Sequence, residues 1–158
     1  MKIVLPSGLT AAQALIWFDQ QLFPGRPIYN TGGALAIRGK LRFDLFETAL
    51  RETIAESPCF RFPPHAGPVD FDLPLLDFRE RKDPLAAAEQ WMRAEMGRPF
   101  SLEDPVLFRF ALIRTREDQT LWFQKNHHLV IDSVGRRLLH ARTAAPVINR
   151  KDCDACIG

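Results

Sequence analysis

Three runs of apolar residues along this chain recur at helical spacing, and the stretches between them alternate in the manner of strands. Ala11, Ala12, Leu15, Ile16, Phe18, Leu22 and Phe23 form the first helical stripe. Thr10 is its expected N-cap, and Pro24-Gly25 ends it. Leu45, Phe46, Ala49, Leu50 and Ile54 form a second stripe, with Asp44 and Glu47 spaced as a capping box and Pro58 at or beyond the stop. The third is Leu85, Ala88, Trp91 or Met92, and Met96, opened by Asp83-Pro84 and closed by Gly97.

Gly33 to Arg38 reads as a strand turned by Gly39-Lys40-Leu41, and the proline-punctuated residues 63 to 76 as a connection with a short edge strand near Val69 to Leu75. Val106 to Arg114 and Thr120 to Asn126 read as an antiparallel pair around the charged turn 116–119. The second of these alternates like a half-buried strand and runs into His127-His128-Leu129-Val130-Ile131-Asp132-Ser133. A further helix starts there, with Asp132 or Ser133 as its cap. If the strand continues through the two histidines, they point to opposite faces, so only one meets a substrate. An imidazole at a stiff strand exit, with an acid four residues on, is a catalytic geometry; an ordinary strand-end pair of histidines is the plainer alternative.

Composition narrows the field. At 158 residues, 46% hydrophobic and 25% charged, the chain can bury a core as one domain. Lys plus Arg is 21 against 19 for Asp plus Glu, a net charge of only +2, which gives nucleic acid or an acidic membrane no purchase. No apolar run is long enough to span a bilayer and the N-terminus does not read as a signal peptide, so the expected location is cytoplasmic. Three cysteines argue against a disulfide framework, and Cys59 reads as a small core residue. Cys153-Asp154-Ala155-Cys156 has metal-ligand spacing with His140 upstream, but a closed structural zinc site needs four ligands, so no metal is expected.

The His127 to Ser133 stretch resembles His-His-x-x-x-Asp-Gly, the signature of condensation domains of non-ribosomal peptide synthetases, within the superfamily that includes chloramphenicol acetyltransferase. Thr10-x-Ala12-Gln13-x-x-x-Trp17-Phe18-x-Gln20-Gln21-Leu22 and the following Pro24-Gly25-Arg26-Pro27-Ile28-Tyr29-Asn30 resemble that family's opening motif and loop. Arg98-Pro99-Phe100-Ser101-Leu102 resembles its Pro-Phe-Asp-Leu loop, with Ser101 in place of Asp. Around Pro58 to Phe62 the match is degraded, but an arginine survives as Arg61.

The resemblance implies an α/β sandwich: a single chloramphenicol acetyltransferase-like lobe with a mixed or antiparallel sheet packed with helices. It covers most of the chain but only the family's N-terminal lobe. The expected division is therefore a truncated lobe over residues 1–146 and a non-matching tail over 147–158. It further implies amide-bond formation between an acyl or peptidyl thioester and an aminoacyl amine. Both would arrive on phosphopantetheine arms of carrier proteins, the chain binding no cofactor of its own. By position His128 is the catalytic histidine and His127 a structural one. Asp132 organises the loop through an ion pair with Arg61. Ser133 stands where the family has glycine, adding a side chain that narrows the channel or caps the helix.

Alternatives are a related epimerisation or stand-alone acyltransferase domain, and an inactive remnant that at most docks a carrier protein. A lone lobe is also expected to self-associate through the apolar surface its partner lobe would cover.

Overall fold

The computed structural model describes residues 5–64 and 66–147. Its elements follow the order α1 (Ala11–Leu22), β1 (Asn30–Arg38), α2 (Phe43–Ala55), a 3-10 turn (Pro58–Phe60), β2 (Leu75–Asp77), α3 (Pro84–Met96), β3 (Phe108–Arg116), β4 (Gln119–His127) and α4 (Ser133–Val147). The sheet runs β1-β4-β3-β2, with β4 antiparallel to both neighbours and β2 parallel to β3. The mixed sheet of the expected α/β sandwich is therefore present.

Alternation decides which helix covers which face. Phe110, Leu112 and Trp122 point to the side where α2 supplies Phe46, Leu50 and Ile54 and α4 supplies Leu139. Ala111, Ile113, Leu121 and Phe123 point the other way, onto Ala88, Trp91 and Met92 of α3. Removing a leucine- or phenylalanine-sized side chain from water contributes roughly 1.5–3 kcal/mol, so these two layers hold the sheet. Because both faces are covered, every residue from Thr120 to His127 is buried. The half-buried strand expected from alternation is corrected: polar residues such as Gln124, Lys125 and Asn126 are interior too.

Helix starts follow the sequence at α1 and α3. Gln13 N donates to Thr10 Oγ1 at 3.2 Å while Thr10 N donates to Gln13 Oε1 at 3.0 Å, a reciprocal capping box. Ala86 N donates to Asp83 Oδ1 at 3.0 Å. At α2 the expected box does not form. Arg42 is the N-cap without a side-chain bond, Asp44 is clasped by the Arg42 guanidinium at 2.8 Å, and Glu47 holds Arg51 one turn on. Leu45 and Leu85, assigned to core stripes by spacing, are exposed, and so is Cys59. The turn at Pro58–Phe60 buries Phe60 and thereby rotates Cys59 outward. The short edge strand expected near Val69 to Leu75 instead starts at Leu75 and runs to Asp77.

Candidate functional site

β4 ends at His127, and the chain turns there, with Val130 N donating to His127 O at 3.1 Å. Leu129, Val130 and Ile131 are all buried in the core shared with α2 and α4. A loop so anchored has little freedom, and His128, exposed between buried neighbours, is held from both sides. Its backbone N donates to Tyr29 O at 2.9 Å, tying it to the loop ahead of β1.

The two rings have opposite environments. His127 is only 1% exposed, between Tyr29 and Phe100. Leu129 N donates to its Nδ1 at 3.2 Å, so its proton sits on Nε2 and is donated to Gln20 Oε1 at 3.3 Å. Burial, helped by the neighbouring His128, pushes the His127 pKa down to about 4. Burial therefore favours the neutral ring at His127, which bridges Leu129 N and Gln20 Oε1. At His128, Nδ1 lies 3.2 Å from Ile131 O. A carbonyl only accepts, so Nδ1 carries a proton, and in the neutral ring the lone pair is on Nε2.

Asp132 is the N-cap of α4: Gly135 N donates to its Oδ1 at 2.7 Å and Arg136 N to its backbone O at 3.0 Å. Between the two capping candidates, the structure selects Asp132. The expected ion pair with Arg61 is absent. Arg61 Nη2 donates to Ala55 O at 3.0 Å, satisfying the C-terminal end of α2. The carboxylate is occupied by the start of α4 and the guanidinium by the end of α2. Ser133 is the first residue of α4 and exposed. No described non-glycine residue has positive φ, so the backbone at Ser133 makes no demand for glycine.

Gln13 and Gln20 belong to the opening motif but have no role on sequence grounds; the structure gives them one. Gln13 Nε2 donates to Leu129 O at 2.8 Å, and Gln20, 4% exposed, accepts from His127 while donating to Phe23 O and Arg26 O at 2.9 and 3.1 Å. Helix α1 therefore clamps the histidine loop at two points. The sequence signal was a pair of glutamines seven apart, two turns on one helix face. Opposite them, His140 Nε2 lies 2.9 Å from Gln124 Oε1 beside a recess of about 220 Å³ lined by Gly32, Gly33 and Arg136.

Among the described residues, no group of three or more His, Cys, Asp or Glu side chains is placed to hold a metal, and no helix is long and apolar enough to cross a membrane. Cys153, Cys156 and all but the first residue of the expected tail lie outside the described residues.

The model of the condensation-domain family matches residues 7–145. A dimodular nonribosomal peptide synthase of Bacillus subtilis is 39% identical over 151 residues, covering 89% of this chain and 6% of that protein. An isonitrile lipopeptide synthase of Streptomyces coeruleorubidus is 35% identical, covering 86% of this chain and 10% of that protein. The crystal structure of the starter condensation domain of rhizomide synthetase superposes with a TM-score of 0.81 at 36% identity, covering 87% of this chain and 36% of that one. The chain thus spans a small part of the synthetases it matches and about a third of that solved domain.

Proposed function

The chain belongs to the condensation-domain family of non-ribosomal peptide synthesis, and from that membership we propose that it supplies the histidine-bearing lobe for amide formation between two carrier-bound substrates. One observation carries the reading. His128 is exposed, is fixed by backbone bonds on both sides, and directs its Nδ1 to Ile131 O, which makes Nε2 the basic nitrogen of the neutral ring. In this reading the amine of an aminoacyl group attacks the carbonyl carbon of an acyl or peptidyl thioester. The C–N bond forms and the C–S bond breaks. His128 Nε2 takes the proton released by the attacking nitrogen and passes it to the departing sulfur, which leaves as the thiol of the donor arm. Such a positioned base contributes typically 10²–10⁴-fold. The chain's own share is the base, the loop that holds it, and the α1 clamp.

Two features support the assignment of His128 and the donor class. Variants of the rhizomide starter domain, solved with C8-CoA and with Leu-SNAC, carry changes at a histidine and an arginine eight positions apart. His128 and Arg136 have the same separation, and Arg136 lines the recess beside β1. An acyl thioester is accordingly the donor we favour. Carrier proteins bearing phosphopantetheine are the partners.

A second reading rests on a separate observation. Leu15, Phe18 and Leu22 form an exposed apolar row on α1, continued by Phe23 and Ile28. Such a row favours association with a second surface over an isolated lobe, leaving catalysis to the assembly and carrier docking to this piece. The test is to incubate the purified chain with acylated donor and aminoacylated acceptor carrier proteins, then measure amide product by mass spectrometry. Product that disappears in His128→Ala supports catalysis by this chain. Absence of product in both, with the chain folded, supports the second reading.

A further inference from the structure

Outside the histidine loop, one cluster of charges has no part in the chemistry above. Lys125 on β4 pairs directly across the ladder with Arg109 on β3, like charge facing like. Lys125 is 3% exposed. Its Nζ donates to Arg98 O at 2.6 Å and stands 4.3 Å from the centre of the Phe100 ring, and none of the ion pairs among the described residues includes it. One carboxylate serves the whole cluster. Glu95, also 3% exposed, takes Arg98 Nη1 at 2.5 Å and faces Arg109 Nε at 3.3 Å without an aligned hydrogen bond to its Oε2. Three cations against one anion leave a surplus of two positive charges, partly out of water. A buried ammonium with a single hydrogen bond is costly to hold charged, and burial does lower the Lys125 pKa.

These groups line a cavity of about 970 Å³, within the size of small-molecule sites. It follows the edge of β3 over its first half, where β2 provides no neighbour because it pairs only from Leu112 onward. The same lining includes the apolar side chains Phe43, Phe71, Val106 and Phe108. The lining also holds Arg51 and four further acids, Glu47, Asp70, Asp72 and Asp104. Glu47 and Asp70 contact Arg51, and Asp72 and Asp104 are exposed and screened by solvent.

We propose that this cavity is a binding site for an amphiphilic oxyanion, a carboxylate or phosphate headgroup seated against Lys125 and Arg109 with an apolar body along Phe43, Phe71 and Phe108. The site is independent of His128 and of the reading given under Proposed function. The headgroup supplies the anion the cluster lacks, and the chain occupies the groove that the short β2 leaves open.

Isothermal titration of the full chain with octanoate, octyl phosphate, inorganic phosphate and uncharged octyl glucoside tests this, each amphiphile kept below its micelle concentration. The expected result is one-to-one binding of octanoate or octyl phosphate, whichever headgroup the site prefers. Inorganic phosphate and octyl glucoside should bind at least tenfold more weakly than the preferred ligand. Lys125→Met and Arg109→Gln should each weaken that binding at least tenfold, and the exposed Lys40→Met should not. Arg109 is half-exposed, so its variant carries the test if Lys125→Met fails to fold. The proposal is overturned if neither amphiphilic anion binds the folded wild type, if both site variants bind as tightly as wild type, if Lys40→Met weakens binding as much, or if octyl glucoside binds equally well.

Discussion

Gln20 Oε1 accepts the Nε2 proton of His127 across 3.3 Å, joining residues 107 positions apart in a region where both side chains are almost wholly buried. The same amide donates to Phe23 O and Arg26 O, so one side chain ties the end of α1, the loop behind it and the end of β4. Replacing it with Gln20→Leu strands a buried ring N–H and two carbonyls. The expected loss of folding stability is about 1–3 kcal/mol, read by urea denaturation. Gln20→Glu, which keeps an acceptor for His127, should lose less than the leucine variant if the bond to the ring matters.

The neutral state of His127 makes stability depend on pH. Its pKa is about 4 in the folded chain, chiefly through burial, against roughly 6.5 unfolded. Between those values the unfolded state binds more protons, so stability rises with pH across the window. The contribution is complete above about pH 6.5 and is lost as pH falls toward about 4, with an upper bound of about 3 kcal/mol. His140, also lowered by burial and then by Arg136, adds a contribution of the same sign. Denaturation at pH 7.5 and pH 5 should show wild type losing at least ~1 kcal/mol more than His127→Gln; equal losses would assign the slope to other groups.

Arg61 and Asp132 should behave independently. Asp132→Ala removes a helix cap and is expected to cost about 1 kcal/mol, whereas Arg61→Ala removes one bond to a helix-end carbonyl and costs less. A double-mutant cycle should give a coupling within about 0.5 kcal/mol of zero. A coupling well above that would restore the ion pair inferred from resemblance.

At two glycines an added Cβ would meet a close neighbour, for different reasons. Gly32 has φ of +153°, and a Cβ there would lie 2.0 Å from Gln124 O on the adjacent strand. Gly32→Ala is therefore expected to separate β1 from β4 and to cost more than about 3 kcal/mol, above the usual range for single substitutions. At Gly135 the added Cβ would sit 2.9 Å from Ile131 Cγ1 and 3.4 Å from Asp132 Oδ1. Ile131 can shift, so Gly135→Ala should be milder, and the thermal midpoints of the two variants should rank in that order.

His128→Ala separates chemistry from folding. The side chain is exposed and makes one bond, so stability should stay within about 0.5 kcal/mol of wild type. Amide formation by an active assembly containing this chain should fall about 10²–10⁴-fold. A large loss of stability instead would make His128 a loop-building residue.

Local signals in the sequence were enough to place the helices, the long strands and the strand exit bearing the two histidines. Thr10 with Gln13, and Asp83 with Pro84, act over a single turn and depend on nothing distant. That only one of the two histidines would be exposed was also expected from the strand pattern, although β4 stops at His127 and the chain turns before His128. Which of the two is assigned the chemistry came from the resemblance alone. The resemblance to condensation domains added the catalytic reading, but it also carried over an Arg61–Asp132 pair that this chain does not make.

What spacing along the chain leaves open is which surfaces meet. The full burial of β4 required helices on both faces, and Cys59 turned outward because Phe60 took the interior position. The clamp of Gln13 and Gln20 on residues more than a hundred positions away, and the gathering of Lys125, Arg109, Arg98 and Glu95 around one cavity, exist only once the strands are in register. Hydrogen bonds to near neighbours are encoded locally; contacts between elements depend on the packing of the whole sheet, and that was settled by the tertiary structure alone.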